Sequence, residues 1–108
     1  MITVRLIKNG NIAIGFDVSG HSGYAESGSD IVCAAVSSAV GLAETIINDS
    51  LKLSANVSID PETARVSLEL SSGNDEGSAV LSGFERHVRG IAEEYPKYIK
   101  VLEVQLNA

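Results

Sequence analysis

Residues 20–38 read GHSGYAESGSDIVCAAVSS, and within them a loop gives way to a helix. From Gly20 to Ser29 most residues are Gly or Ser, which bury too little apolar surface to hold one conformation, so this part predicts a mobile loop. Asp30 is a favoured N-cap residue, and the Ile-Val-Cys-Ala-Ala-Val run after it contains no helix breaker. The pattern predicts a helix that begins at Asp30 and carries Cys33 in its first turn.

Cys33 is the only cysteine of the chain, and it lies where a helix favours negative charge. The thiolate is the nucleophilic form of cysteine, and the unpaired N–H groups of a helix start stabilise an anion. His21 lies on the other side of the loop, so the chain can fold back and bring an imidazole near the sulfur as a general base. Free cysteines are also often small core residues, and His21 could be an ordinary polar loop residue. These residues alone leave both interpretations open.

A Gly-His pair followed by Asp-Ile-Val-Cys-Ala-Ala-Val-Ser resembles the signature of the ribosomal-processing cysteine protease family, Prp. The specific motif is confined to this segment, but the length of the chain and the order of its elements also fit that family. The resemblance implies a catalytic dyad of Cys33 and His21. It also implies that three more residues occupy motif positions with supporting or substrate-binding roles: Gly20, Asp30 and Ser37.

The resemblance has further implications for substrate and assembly. Proteases of this family remove the N-terminal extension of the large-subunit ribosomal protein L twenty-seven during ribosome assembly, and they are thought of as dimers. The implied partner is therefore the extension of a basic ribosomal protein. The implied assembly is a homodimer.

Composition and charge narrow the classes of function. The 108 residues predict a single domain over residues 1–108, and 44% hydrophobic with 20% charged residues is typical of a globular protein. The net charge of −6, with only eight scattered Lys and Arg, argues against direct nucleic-acid binding, which needs clustered positive charge. An acidic surface suits a basic partner.

Targeting and cofactor signals are missing from the pattern. The chain begins directly with strand-like residues, and by our interpretation no apolar run approaches membrane-spanning length. We therefore expect a cytoplasmic protein. One cysteine cannot form an internal disulfide, and with only two histidines there is no metal-ligand spacing. We expect neither a metal nor a cofactor.

The first hairpin is predicted from alternating apolar residues on both sides of Asn9-Gly10. A two-residue loop would send the two apolar sets to opposite faces. We therefore expect a three-residue loop, Asn9 to Asn11, or an equivalent bulge. The expected pairs are Lys8 with Ile12, Leu6 with Ile14, and Val4 with Phe16.

The second hairpin is predicted across the turn residues Asp-Pro-Glu-Thr at 60–63. A four-residue loop pairs Ile59 with Ala64 and Val57 with Val66, which keeps both apolar sets on one face.

The first helix is predicted from Asp30 to about Asp49 and has two apolar stripes. One stripe comprises Ile31, Ala35, Ala39, Leu42 and Ile46, and the other comprises Val32, Val36, Val40, Ala43 and Ile47. We expect the first stripe to cover the sheet and the second to need another partner, which a homodimer would supply. The alternative is a monomer in which the second helix covers these valines.

The remaining elements are a second helix after the polar connection Ser71 to Gly77, ending near Tyr95 before Pro96, and a last strand from Tyr98 to Leu106. The order ββαββαβ predicts a single α+β domain with one mainly antiparallel sheet and two helices packed on one face. His87 lies beside the apolar stripe of the second helix, where a boundary role is more usual than catalysis. Glu26 and Asp30 are the nearest candidates for orienting His21.

Together, the residues and the resemblance predict a cysteine endopeptidase, a hydrolase of the Prp type that acts through a thioester. Cys33 is the nucleophile, His21 is first the general base and then the general acid, and helix-start N–H groups are possible oxyanion donors. Two alternatives stay open. One is a non-catalytic ribosome-associated module that holds a peptide with the same loop, and the other is a thiol redox sensor.

Overall fold

The element order confirms the predicted sequence of strands and helices. The computed structural model describes residues 1–26 and 30–106. The strands are β1 Ile2–Asn9, β2 Ile12–Ser19, β3 Ala55–Asp60, β4 Arg65–Leu70 and β5 Ile99–Gln105. The helices are α1 Ile31–Thr45, which continues as the π-helical segment Ile46–Ser50, and α2 Asp75–Glu94.

The five strands form one sheet in the order β3-β4-β2-β1-β5. Three strand pairs are antiparallel, and β5 runs parallel to β1. Both helices contribute to one hydrophobic core together with the inward residues of β1, β2 and β4. The other face carries polar contacts, among them the Arg65–Asp17 ion pair and the hydrogen bond from Arg5 to the Ser19 hydroxyl. The predicted α+β fold, with two helices on one sheet face, is confirmed.

The first hairpin differs from its predicted register. Asn9 pairs with Ile12, so the loop has two residues, and the three-residue loop was wrong. The alternative of a bulge is confirmed, because the register shifts between Ile7 and Lys8 and leaves Ile14 as the extra residue. The bulge places Ala13, Phe16 and Val18 on the helix side and leaves Ile12 58% exposed. The observed inward pairs are Leu6 with Phe16 and Val4 with Val18.

The second hairpin has the predicted loop length but another register. Asp60 pairs with Arg65, so the four-residue turn spans 61–64. Ala64 belongs to this turn and not to the strand, because its φ of 50° is left-handed and its N–H donates to the carbonyl of Pro61. The predicted pairs were therefore wrong by two residues. The observed pairs are Ile59 with Val66 and Val57 with Leu68.

The two stripes of α1 have exchanged the roles predicted for them. The stripe that lies in the core comprises Val32, Val36, Val40, Ala43 and Ile47. In the other stripe Ile31 is 52% exposed and Leu42 is 63% exposed. The two stripes contain equally many side-chain carbon atoms, so apolar content does not choose between them, and the direction in which α1 packs on the sheet and on α2 does. The prediction that the valines need an outside partner was wrong, and the open surface is the alanine and leucine side.

The helical segment Ile31–Ser50 is long and apolar enough to cross a membrane by length and composition alone. The expectation that no apolar run approaches this length was therefore wrong. The core helix of a folded domain passes the same test, and the buried valine stripe packs on the sheet of the same chain. We interpret the segment as a core helix.

Candidate active site

The start of α1 is built around Asp30, as predicted. Asp30 Oδ1 accepts hydrogen bonds from the N–H groups of Val32 and Cys33, each at 3.0 Å. The Ser22 hydroxyl donates to Oδ2 of the same carboxylate. These bonds, with the one from Ser22 as the largest cause, lower the pKa of Asp30 below its usual value. The charged cap places Cys33 in the first turn of the helix.

Gly20 is required by the backbone at the end of β2. Its φ of 90° is left-handed, and a Cβ atom there would lie 2.5 Å from the carbonyl oxygen of Met1. Its N–H donates to the carbonyl of Ala64 at 3.1 Å, which ties this corner to the second hairpin. The close approach of three chain segments fixes where His21 leaves the sheet.

His21, Cys33 and Ser37 line the same two cavities. The long cleft, of about 440 Å³, lies between α1 and the turn that joins β3 to β4. The loop cleft, of about 470 Å³, is bounded by the segment after His21 and the start of α1. Cys33 is half-buried, whereas His21 and Ser37 are exposed. The structure therefore brings together the predicted dyad and Ser37 at the junction of two clefts.

The long cleft extends along α1 from Cys33 to Glu44, which is about 16 Å at the helical rise per residue. This length accommodates about five residues of an extended peptide. Its lining is largely apolar and includes Val40, Val66 and the 70% exposed Ile59. Glu44, Asp60 and Arg65 also lie on it, and Arg65 forms an ion pair with Asp17.

Ser22 belongs to the site and was missed by the sequence analysis. It is 3% exposed, and its N–H donates to Cys33 Sγ at 3.4 Å. Its hydroxyl donates to Asp30 and accepts the N–H of Tyr24 at 3.0 Å. A serine in a Gly- and Ser-rich loop gives no sequence signal for this role, because its partners are set by how the loop folds back.

The described part of the loop is held at a second point. The Tyr24 ring packs edge-on against Tyr95 and Tyr98, with ring centroids 5.8 and 5.2 Å apart. These contacts hold Ser22 and Tyr24 in place, and the mobility expected of the loop stays a prediction. Residues 27–29 of the predicted loop lie outside the described residues.

His87, the rival base, lies elsewhere. It lines the interhelix groove, a cavity of about 500 Å³ between α1 and α2 whose lining does not include Cys33 in the described part of the chain. The exposed Glu26 stays a predicted orienting group for His21, and Asp30 is already engaged by the helix start and Ser22.

The predicted oxyanion donors at the helix start already have partners. The N–H groups of Val32 and Cys33 donate to the Asp30 carboxylate, and the N–H of Ala34 donates to the Asp30 carbonyl at 3.1 Å. These three groups are thus not free to receive a developing oxyanion, and that expectation was wrong for them. Backbone capping by Asp30 is the physical reason.

Comparison with solved structures gives the same fold. The essential ribosomal processing protease Prp from S. aureus, in complex with a covalently linked product peptide, matches with a TM-score of 0.85 and 24% identity over 96% of this chain and all of that one. The same protease with a substrate peptide matches with a TM-score of 0.83 and 23% identity, again over 96% of this chain and all of that one. SMU.848 from Streptococcus mutans matches with a TM-score of 0.84 and 22% identity, over 97% of this chain and 95% of that one.

Comparison by sequence is more specific. No curated protein matches the chain. The family model of the cysteine protease Prp matches residues 1–100, which is nearly the whole length. With the fold and the Cys33 cleft in place, this match shows that the chain belongs to the Prp family of cysteine proteases.

Proposed function

We propose that this cysteine protease removes the N-terminal extension of the large-subunit ribosomal protein L twenty-seven, with Cys33 as nucleophile and His21 as general base and acid. The observation that carries the proposal is the meeting of His21, Cys33 and Ser37 at the junction of two clefts at a helix start. Gly20 and Asp30 support the dyad by fixing the backbone on either side of it.

The first half of the reaction forms a thioester. The Cys33 thiol gives its proton to His21, and Sγ bonds to the carbonyl carbon of the scissile peptide while the π pair moves onto the carbonyl oxygen. Collapse of this tetrahedral intermediate breaks the C–N bond. The imidazolium of His21 gives its proton to the departing amine, so acyl transfer leaves the N-terminal fragment on the sulfur.

The second half consumes one water molecule. His21 takes a proton from the water as its oxygen bonds to the thioester carbon, and collapse of the intermediate breaks the C–S bond. The proton on His21 returns to the thiolate, and the acid product leaves. Ser37 lies one helical turn after Cys33 and lines the same clefts, which supports a contact to the bound peptide or to the dyad.

The long cleft supports the proposed substrate class. Its apolar lining suits apolar side chains of an extended peptide, while Glu44, Asp60 and the net charge of −6 suit a basic protein, since Arg65 on the same cleft is paired with Asp17. The S. aureus protease of the same fold has been solved with a substrate peptide and with a covalently linked product peptide. A ribosomal substrate and a reduced nucleophilic cysteine both favour a cytoplasmic enzyme.

The test is incubation of L twenty-seven carrying its extension with the protease, followed by mass spectrometry. We expect two fragments whose masses add up to the substrate plus one water, and no fragments with Cys33→Ala. An intact substrate that nevertheless binds would replace the proposal with a non-catalytic peptide-binding module. Fragments produced equally by Cys33→Ala would remove Cys33 from the chemistry.

We also propose a homodimer that forms through the interhelix groove. The groove is apolar and includes Leu42 and Ile46. Both belong to the stripe of α1 that does not lie in the core, which we call the outer stripe, and α1 carries no charged residue from Ile31 to Ala43. A two-fold axis on this face would bury apolar surface without placing like charges together, whereas the net charge of −6 disfavours contact elsewhere. Sedimentation equilibrium that gives 11.3 kDa at all micromolar concentrations would rule the dimer out.

A further inference from the structure

Ser22 makes more hydrogen bonds than is usual for a serine in a loop. Its hydroxyl both donates, to Asp30, and accepts, from the Tyr24 N–H. Its side chain therefore joins the helix cap to the next loop residue. The residue is 3% exposed, so these bonds are sheltered from water.

The side-chain bonds fix the direction of the backbone. The only rotatable heavy-atom bond of a serine side chain is χ1, so anchoring the hydroxyl at two points leaves the Ser22 peptide little freedom. The Tyr24 ring, packed against Tyr95 and Tyr98, holds the chain just beyond. The anchored peptide directs the Ser22 N–H at Cys33 Sγ, 3.4 Å away.

The donors at the helix start cannot take this place. The N–H groups of Val32, Cys33 and Ala34 all donate to Asp30. The Ser22 N–H is a donor that the structure aims at the reacting sulfur itself. A preorganised N–H at the site of developing charge is among the largest contributions to catalysis.

We propose that Ser22 is a positioning residue, whose side chain holds its own backbone N–H on Cys33 so that this N–H stabilises first the thiolate and then the oxyanion. The proposal rests on the proposed protease function. When Sγ bonds to the carbonyl carbon, the C=O π pair moves onto oxygen, and the negative charge passes from sulfur to an oxygen on the same carbon. The thiol proton is on His21 throughout this step, and the N–H only has to follow the charge to a neighbouring atom.

Ser22→Ala tests the proposal, because it removes the anchor and leaves the N–H. We expect kcat to fall at least about tenfold, toward the 10²–10³-fold typical of losing one oxyanion donor, with KM little changed. A peptide aldehyde, which forms a tetrahedral adduct with the sulfur, should lose affinity in parallel with kcat, while the product peptide should bind as before. Alkylation of Cys33 by iodoacetamide at pH 7 should also slow.

Two further variants separate positioning from simple stability. Ser22→Thr keeps the hydroxyl and should restore most of kcat and of the alkylation rate. Ser78→Ala is the matched control, since its hydroxyl donates at 2.8 Å to the Ala13 carbonyl on α2's side of the sheet, away from Cys33. It should lower stability and leave kcat, aldehyde affinity and alkylation at wild-type values.

The proposal is overturned if Ser22→Ala lowers the melting temperature but leaves kcat and alkylation unchanged. It is equally overturned if the aldehyde and the product peptide lose affinity together. Should Ser22→Ala fail to fold, amide exchange in the wild-type protein decides. The Ser22 N–H should be protected both in the free protein and in the aldehyde adduct, and exchange at an unstructured-loop rate would contradict the proposal.

These readouts also distinguish this inference from the proposed function. Iodoacetamide alkylation and the exchange of the Ser22 amide need no peptide cleavage. Retained cleavage in Cys33→Ala would end the assignment of the nucleophile while leaving the Ser22 to Cys33 contact testable on its own.

Discussion

Two cavities of similar size flank α1, and they differ in chemistry. The long cleft has about 440 Å³ and the interhelix groove about 500 Å³, and each is lined by one of the two histidines. The long cleft adds Cys33, Ser37, two carboxylates and Arg65, whereas Ser38 is the only other polar side chain among the described residues that line the groove. Neither volume nor a histidine therefore identifies the site.

Both cavities run along the flank of α1, but the long cleft also reaches the start of the helix, at His21 and Cys33. Along its flank a helix satisfies its own backbone groups, so the groove meets side chains only. At its start the helix has backbone N–H groups without an acceptor inside the helix, and those of Val32 and Cys33 donate to the Asp30 carboxylate. The same carboxylate accepts a hydrogen bond from the Ser22 hydroxyl, which holds Ser22 next to Cys33. We infer that the start of α1 carries the catalytic chemistry and that its flank at the interhelix groove carries the contact to a second subunit.

Removing the sulfur should give the largest effect. Cys33→Ala should abolish cleavage and leave folding nearly intact, because Cys33 is only half-buried and alanine is compatible with the helix. Ser38→Ala in the interhelix groove should cleave at the wild-type rate. Cleavage would be measured by mass spectrometry, with circular dichroism as a folding check. Residual cleavage by Cys33→Ala would mean that Cys33 does not distinguish the long cleft from the groove as the catalytic site.

Replacing each histidine by alanine tests the comparison next. His21→Ala should lose about 10²–10⁴-fold in kcat, the usual worth of a general acid–base group, because it lines both clefts with Cys33. His87→Ala should stay close to wild type, since His87 lines the groove instead. Steady-state kinetics with the opposite pattern would move the active site to α2.

The sequence predicted best what depends on neighbours along the chain. Asp30 as a cap, and Cys33 in the first turn, follow from a short pattern whose partners lie two and three residues away. Strand pairings were less secure. The second hairpin is shifted by two residues from prediction, which preserves the inward side chains, so hydrophobic alternation cannot detect it. In the first hairpin the shift is two residues beyond the bulge but one at the turn, where Ala13 and not Ile12 faces inward.

Tertiary choices were not available from the pattern. Both α1 stripes have helical spacing and similar apolar content, and which one faces the sheet depends on how α1 packs on the sheet and on α2, so Leu42 was assigned inward and is exposed. Ser22 was missed for a related reason, because its contact to Cys33 exists only once the loop has folded onto the helix start. The candidate dyad was predictable and its support was not.

The two helix caps offer a third and smaller contrast. Asp30→Ala and Asn74→Ala each remove a cap, and the Asn74 side chain accepts the Gly77 N–H at 2.9 Å. Asn74→Ala should cost about 1 kcal/mol of stability and leave cleavage unchanged. Asp30→Ala should also lower the melting temperature, and in addition reduce kcat about tenfold, because it frees Ser22 and the N–H groups at the start of α1.

The pH dependence of the two cap variants differs in a defined direction. The pKa of Asp30 is lowered in the folded protein, chiefly by the Ser22 hydroxyl, so its stabilisation is complete above the ordinary value of 3.8 and is lost as the pH falls through the lowered value. The melting-temperature gap between wild type and Asp30→Ala should therefore be constant above about pH 5 and shrink in acid. The gap for Asn74→Ala should not change over that range. An Asp30 gap that widens in acid would contradict this account.

The smallest effect on cleavage is expected from the groove itself. Leu42→Glu places a charge on the 63% exposed side chain of the outer stripe, which a monomer tolerates and an apolar two-fold contact does not. Ile12→Glu is the matched control, since Ile12 is 58% exposed at the first hairpin turn, away from the groove. Sedimentation should give a mass near 11.3 kDa for Leu42→Glu and twice that for wild type and Ile12→Glu, with cleavage per chain changed less than about twofold. A large loss of cleavage in Leu42→Glu alone would mean that the partner subunit completes the active site. Catalysis at the start of α1 would then depend on the dimer contact at its flank, which contradicts the inference that the two are separate.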